Sequence, residues 1–338
     1  MTTAKASWFF LRQAWNDFFH SPVSPQVCGI LRIGFGLLVF IDFAVLFRDL
    51  DQWFGPGGML TFEASRAIVD ADTITIFQWF PDSGLAVHAC YVLLLIQSLC
   101  LAAGFFGRFN AACVFVLVTS FNHRNMALFD AEDNLLRIAC FLLIFMPLDD
   151  AFSLRNLFDR SRGRPRRTKT FPAWPLRLLQ IEMTLIYLST ALLKLRGEDW
   201  RSGLAIHYAV QVDLFRKFPV PSFLLDDLSL SKLATWSILA LELALPFGLW
   251  IRRTRPFAIV AGILMHLVIE YSMNLFLFEW AMIVGLLSFW PTGNDGTPVG
   301  FPRLARVQGD RAGYFSRSRR MLSKRLRPCP RPSSRILI

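Results

Sequence analysis

Residues 27–47 read VCGILRIGFGLLVFIDFAVLF, a run in which only Arg32 and Asp42 are charged. A helix needs about 20 predominantly apolar residues to cross the roughly 30 Å hydrocarbon core of a bilayer. This stretch has that length and contains no proline, so it reads as a transmembrane helix.

Seven further apolar segments follow, at about 85–106, 109–122, 134–148, 174–195, 232–251, 256–272 and 274–290. Three of them, 109–122, 134–148 and 256–272, are short, and the last two segments almost abut. The expectation is an all-α, polytopic integral membrane helical bundle of about eight spans, with six as the lower bound. Composition agrees. Of 338 residues 54% are hydrophobic and only 18% charged, against about 25% charged in ordinary soluble domains. Mean hydropathy is +0.42. The 33 Phe and 10 Trp suit the aromatic belts of membrane interfaces. A disordered chain is excluded by this apolar content.

Three parts are expected. Residues 1–26 carry Trp8, Leu11, Trp15, Phe18 and Phe19 at helical spacing, with Lys5 and Arg12 between them, and end at Ser21-Pro22. That pattern predicts an interfacial amphipathic helix. With no continuous apolar core and no small-residue cleavage site, it does not read as a signal peptide. Residues 27–290 form the transmembrane domain. Residues 291–338, with eleven Lys/Arg against two Asp, read as a basic, disordered cytoplasmic tail able to touch anionic headgroups.

Loop charges set the orientation. Short cytoplasmic loops collect Lys and Arg. Arg108, the run Arg155, Arg160, Arg162, Arg164, Arg166, Arg167 and Lys169, the turn Arg252, Arg253, Arg255, and the tail all fall on one side when the spans alternate. The opposite loops hold Asp49, Asp51, Glu63, Asp70, Asp72 and Asp82, then Asp130, Glu132 and Asp133. Both termini are therefore expected in the cytoplasm, with the protein multi-pass in the cell membrane.

Some functions lose support at this stage. No Walker-type or GxGxxG phosphate loop appears, and no internal repeat supports a transporter. No nucleic acid partner is expected, and a protein partner is unspecified. Cys28, Cys90, Cys100, Cys113 and Cys140 lie in apolar runs without CxxC spacing, and five His include no HExxH pair, so no metal is expected.

Charges inside spans are costly and mark functional candidates. They are Arg32, Asp42, Arg137, Glu182, Lys194, Glu242, His266, Glu270 and Glu279. The orientation sorts them by depth. Lys194 falls at the outer end of its span and His123 at the outer end of another. His266, Glu270 and Asn274, spaced i, i+4, i+8, lie close to one helical face near the outer leaflet, and Glu279 is about one turn into the returning span. Bland alternatives stand beside this. Lys194 could snorkel to the interface, His123 could be a loop residue, and His266 could bond a neighbouring helix. Glu182 and Arg137 could form a structural ion pair.

Four groups of residues together resemble a known family. They are Arg32-Ile33-Gly34-Phe35-Gly36 with Trp53-Phe54-Gly55-Pro56-Gly57-Gly58; Asn122-His123-Arg124-Asn125 with Asp130 and Asp133 through Arg137; Gln180-Ile181-Glu182 through Tyr187 to Lys194-Leu195 and Trp200, Gly203; and Met265-His266 through Asn274. In order and spacing, over about residues 20–290, the chain resembles the HTTM (horizontally transferred transmembrane) domain family. Its best-known member is the vitamin K-dependent gamma-carboxylase, and others are small bacterial membrane proteins.

The resemblance implies a quinol-oxidising site near the outer face. Lys194, in the context Leu193-Lys194-Leu195 and Asp199-Trp200, matches the family's base. His123 after Asn122 matches its histidine, and His266 resembles a second. These three are the expected catalytic residues, with Asn122, Glu270 and Asn274 expected around a reduced naphthoquinone or other isoprenoid quinol. The family pattern departs at Leu193, where the carboxylase has a second lysine, and in the stretch after 291, which leaves no room for a lumenal substrate-docking domain. Carboxylation of a docked protein is thus not implied. Two readings stay open. One is a quinol-dependent epoxidase, carboxylase-like or modifying enzyme. The other is a non-catalytic lipid- or quinone-binding protein, or a membrane partner of a maturation system.

The orientation is testable. With Asp310→Cys as the reporter in an otherwise unreactive chain, a membrane-impermeant thiol reagent leaves intact cells unlabelled and reacts once they are opened. Labelling from outside would invert the arrangement.

Overall fold

The computed structural model describes residues 2–68, 73, 75–79, 83–163, 171–214, 216–219 and 227–290, with side chains from residue 8 onward. The expected tail 291–338 lies outside the described residues, as do Asp70, Asp72, Asp82, Arg164, Arg166, Arg167 and Lys169 from the charge argument.

All eight apolar segments are helical. After α1 (Thr2–Phe19) come α2 (Gln26–Leu46), α3 (Gly84–Ala103), α4 (Gly107–Arg124), α5 (Ala131–Leu143), α6 (Trp174–Arg196), α7 (Leu228–Gly248), α8 (Arg255–Ser272) and α9 (Phe278–Leu286). Five are long and apolar enough to cross a membrane: α2, which runs on through shorter turns to Phe54, with α3, α6, α7 and α8. The other three fall short for visible reasons. In α4, Arg108, Asn110, Asn122, His123 and Arg124 make both ends polar. At 13 residues, α5 is about 20 Å long at 1.5 Å per residue. The last, α9, is prolonged only by a 3-10 turn to Phe289.

Chain neighbours pack as neighbours in space. Contacts run α2 to α3, α3 to α4, α4 to α5, α6 to α7 and α8 to α9. Short α9 also touches α2, α5 and α6, so it sits where the N-terminal and C-terminal halves meet. Trp8, Phe9, Phe10, Leu11 and Trp15 of α1 are exposed. Beyond it, Pro22–Val23 (β1) pairs antiparallel with Phe171–Pro172 (β2), joining the start of α2 to the start of α6.

The Arg32-to-Gly36 motif has a packing explanation. Arg32 is fully buried. Its guanidinium donates to the carbonyls of Leu101 at 2.7 Å, Ala102, and Phe152 at 2.6 Å. Leu101 and Ala102 end α3, where helix carbonyls lack partners and the dipole is negative. One turn on, a Cβ at Gly36 would meet the Ala102 backbone nitrogen at 2.8 Å, so the missing side chain lets α2 lie against α3. Gly104 closes α3 in the left-handed region with φ +73°. An added Cβ there would clash with the Ser153 side chain and meet the Arg32 guanidinium at 2.7 Å.

Gly104→Ala therefore carries both backbone strain and a clash. It should cost about 2 kcal/mol or more, read as a lower thermal midpoint of the purified protein in detergent. Gly57→Ala, where an added Cβ meets open space, should stay within about 0.5 kcal/mol of the parent.

Candidate functional site

Between α6, α7, α8 and α9 lies a cavity of about 430 Å³. Ile186, Ile206, Val210, Ile238, Phe278 and Met282 make it predominantly apolar. Two groups of polar side chains line it.

The first group is an ion pair. Lys194 stands in the last turn of α6, and its Nζ lies 2.5 Å from Oε1 of Glu242 on α7. The ammonium also sits 4.6 Å from the Trp200 ring centroid, a cation–π geometry. Glu242 is 5% exposed. Its Oε2 is buried and has no hydrogen-bond partner among the described residues.

The second group is a chain of three. His266 on α8 is buried between Glu279, in the first turn of α9, and Tyr187 on α6. Its Nδ1 meets Glu279 Oε2, and the Tyr187 hydroxyl lies 2.6 Å from Nε2. An ionised carboxylate only accepts, so Nδ1 carries the proton and Nε2 is left to accept from the tyrosine O–H. The chain carboxylate–imidazole–phenol thus presents Tyr187 to the cavity. Tyr187 and Lys194, seven residues apart, share a face of α6.

Of the three expected catalytic residues, Lys194 and His266 line this cavity. His123 does not line this cavity. It ends α4, where its Nε2 lies 3.5 Å from Arg137, and Asn122 is buried beside it in the same turn. Depth along the membrane normal does not set position around the bundle, and that is where the single-cavity expectation for all three residues departs from the fold. Glu270 is buried but turns to Lys217 and does not line the cavity. Asn274 is exposed. The i+8 spacing would hold only on a continuous helix, and α8 ends at Ser272 with Met273 extended (φ −127°, ψ 142°). Arg137 donates to Asn134 at 2.7 Å and does not take the ion-pair role with Glu182 that was open to it.

The other motif residues hold the frame. Arg124 donates to the Gly55 carbonyl and Asn125 to the Trp53 carbonyl, each at 2.8 Å, so the second motif secures the loop of the first. Glu132 Oε2 accepts the Leu277 N–H at 3.0 Å, which fixes the entry to α9 just before Glu279.

Glu242 and Tyr187 were not among the expected site residues. The i+7 spacing from Tyr187 to Lys194 was a readable signal. Glu242 is marked in the sequence as a charge inside a span, but nothing there pairs it with Lys194, because it lies fifteen residues into α7 while Lys194 is almost at the end of α6. The two meet because α7 reaches beyond the end of α6. Its first turns pack against the short helices Glu198–Ser202 and Ala205–Gln211.

A helical integral membrane protein whose bundle holds an apolar cavity with a few charged and polar side chains on its wall is the class that these features define. The HTTM domain family model matches residues 20–293, and the chain belongs to that family. No curated protein and no solved structure matches the chain.

The ion pair has a measurable signature. Lys194→Met leaves the Glu242 carboxylate buried without its countercharge and should cost about 3–5 kcal/mol, whereas Lys194→Met with Glu242→Leu should recover most of that loss. Thermal unfolding of the single and double variants gives the comparison. Equal destabilisation in both would mean that the carboxylate was never uncompensated.

Proposed function

We propose that the cavity binds a reduced isoprenoid quinone, a naphthoquinol or benzoquinol, and that the protein is a quinol-dependent modifying enzyme of the outer face of the cell membrane, with both termini in the cytoplasm. The observation that carries this reading is the meeting of Lys194–Glu242 and Tyr187–His266–Glu279 on one apolar cavity. An aromatic head with hydroxyl groups needs proton acceptors and donors, and its isoprenoid tail needs an apolar route from the lipid. Family membership supports the same reading through the gamma-carboxylase, whose chemistry starts with proton removal from a quinol. The chemistry proposed is oxygen-dependent epoxidation of the quinol. One oxygen atom enters the ring, and the other leaves as water with the two hydroxyl protons.

A second reading, a quinone- or lipid-binding protein without turnover, draws support from the closed Lys194–Glu242 pair, which leaves no free amine.

Mass spectrometry of lipids extracted from the purified protein separates these readings from no quinone role at all. A quinone or quinol should co-purify with the parent chain. Ala234→Phe, which fills space at the cavity wall, should lose it. Under oxygen with a naphthoquinol, the parent should form epoxide. Lys194→Ala should lower that rate by about 10²-fold or more. Binding without epoxide supports the second reading, and a preparation with no quinone and no turnover removes both.

A further inference from the structure

We infer that the proton-accepting atom of the cavity is Glu242 Oε2, and that Lys194 is a positioning residue that serves as its countercharge. This rests on the quinol reading above and departs from the lysine base that the family resemblance implies.

The hydrogen-bond inventory carries the assignment. Lys194 as an ammonium has three donors and no lone pair, and it is held between Glu242 Oε1 and the Trp200 face. While that pair stands, it offers a ligand hydroxyl no acceptor. On the other arm, the two ring nitrogens of His266 are taken by Glu279 and Tyr187. The hydroxyls of Thr190 and Ser272 donate to the Ile186 and Tyr187 carbonyls and to the Val268 and Ile269 carbonyls. Their oxygens, like that of Tyr187, can still accept a hydrogen bond but are not bases. Glu279, whose Oε2 is on His266, has no ammonium beside it among the described residues to become the partner of a new anion. Glu242 lines the cavity, and its Oε2 is buried with no partner among the described residues. A buried carboxylate oxygen left without a donor is costly. A ligand O–H is the group that would satisfy it.

Charge balance points the same way. When a ligand O–H passes its proton to Glu242, the O–H bond breaks with its electron pair staying on the ligand oxygen, and a new O–H bond forms at Oε2. The site begins as ammonium, carboxylate and neutral phenol. It ends as ammonium, neutral acid and aryloxide. Net charge is unchanged, and the ammonium beside Glu242 becomes the partner of the new anion. A lysine base would have to begin as neutral amine, which leaves the buried Glu242 carboxylate with no countercharge, the expensive arrangement in a low-dielectric interior.

The test uses the full chain in lipid nanodiscs, kept anaerobic and titrated with menadiol and with menadione. The two share one skeleton, but only menadiol carries O–H donors. Quenching of tryptophan fluorescence reports binding. The parent should prefer menadiol by about ten- to a hundredfold, the usual range for a hydrogen bond to a charged group. Glu242→Gln, whose amide can turn an N–H toward the ligand, should abolish or reverse the preference. Lys194→Arg keeps a cation beside Glu242 and can never accept a proton, so it should keep the preference. Loss of preference in Lys194→Arg with its retention in Glu242→Gln would return the role to Lys194 and overturn the inference. Equal binding of both compounds by the parent would overturn it while leaving a quinone-binding cavity in place. Failure to bind either compound would remove the quinol reading and this inference with it. If Glu242→Gln does not fold, Lys194→Arg decides alone, retention supporting the assignment and loss overturning it.

Discussion

A charge drawn into the interior of an apolar bundle must find its partner on another part of the chain, because no solvent is there to supply one. The pair Lys194–Glu242 meets that demand across α6 and α7, His266–Glu279 across α8 and α9, and Arg32 across α2, the end of α3 and the segment after α5. Each contact joins different helices, consecutive ones for the two carboxylate pairs and more distant segments for Arg32. The polar residues therefore act as registers. An apolar helix can slide along or rotate against its neighbour at little cost, whereas a paired ion cannot. The offset of α7 past the end of α6 is held at Glu242 by this means, and so is the position of α9, whose entry Glu132 also secures.

That constraint explains what could be read from the sequence. Hydropathy located the eight helices because lipid acts on each one separately. Helix ends were legible where charges mark them, as in the charged turn around Arg252, whereas Gly104 ends α3 inside the expected segment 85–106. Depth ordering and the family motifs single out Lys194, His123 and His266 alike, and of these only Lys194 and His266 line the cavity. Lateral arrangement was not legible. His123 shares the expected depth but belongs to the α4–α5 side with Arg137. Asn274 fell outside the site because Met273 breaks the helix on which its spacing depends. Glu242 is legible as a charge inside a span, but its pairing with Lys194 is not, because helix offset is a property of packing. Glu132 contributes through a backbone amide 145 residues away, a contact no local pattern encodes.

The same residues show how a family motif can mix frame and chemistry. Arg124 and Asn125 reach back to the Gly55 and Trp53 carbonyls, and Arg32 with Gly36 sets the approach of α2 to α3. These are packing devices, and their residue types follow from buried carbonyls and close backbones. Only the third and fourth groups place side chains on the cavity. Recurrence of a motif thus says little by itself about reaction, and the assignment has to come from which atoms remain uncommitted once the frame is complete.

One contact of α1 bears on how the chain is assembled during synthesis. Phe18, near the end of that helix, stacks with Trp250 after α7, and the Arg177 guanidinium lies over its ring and donates to its carbonyl. Arg177 lies 159 residues further along the chain, and Trp250 later still. At about 5–20 residues per second, the ribosome takes roughly ten to thirty seconds to make the first of these partners. Through that interval α1, with its exposed Trp8, Leu11 and Trp15, lacks these partners. Its contact with Arg177 can form only once the chain has been made as far as the start of α6, and its stack with Trp250 only once α7 is complete.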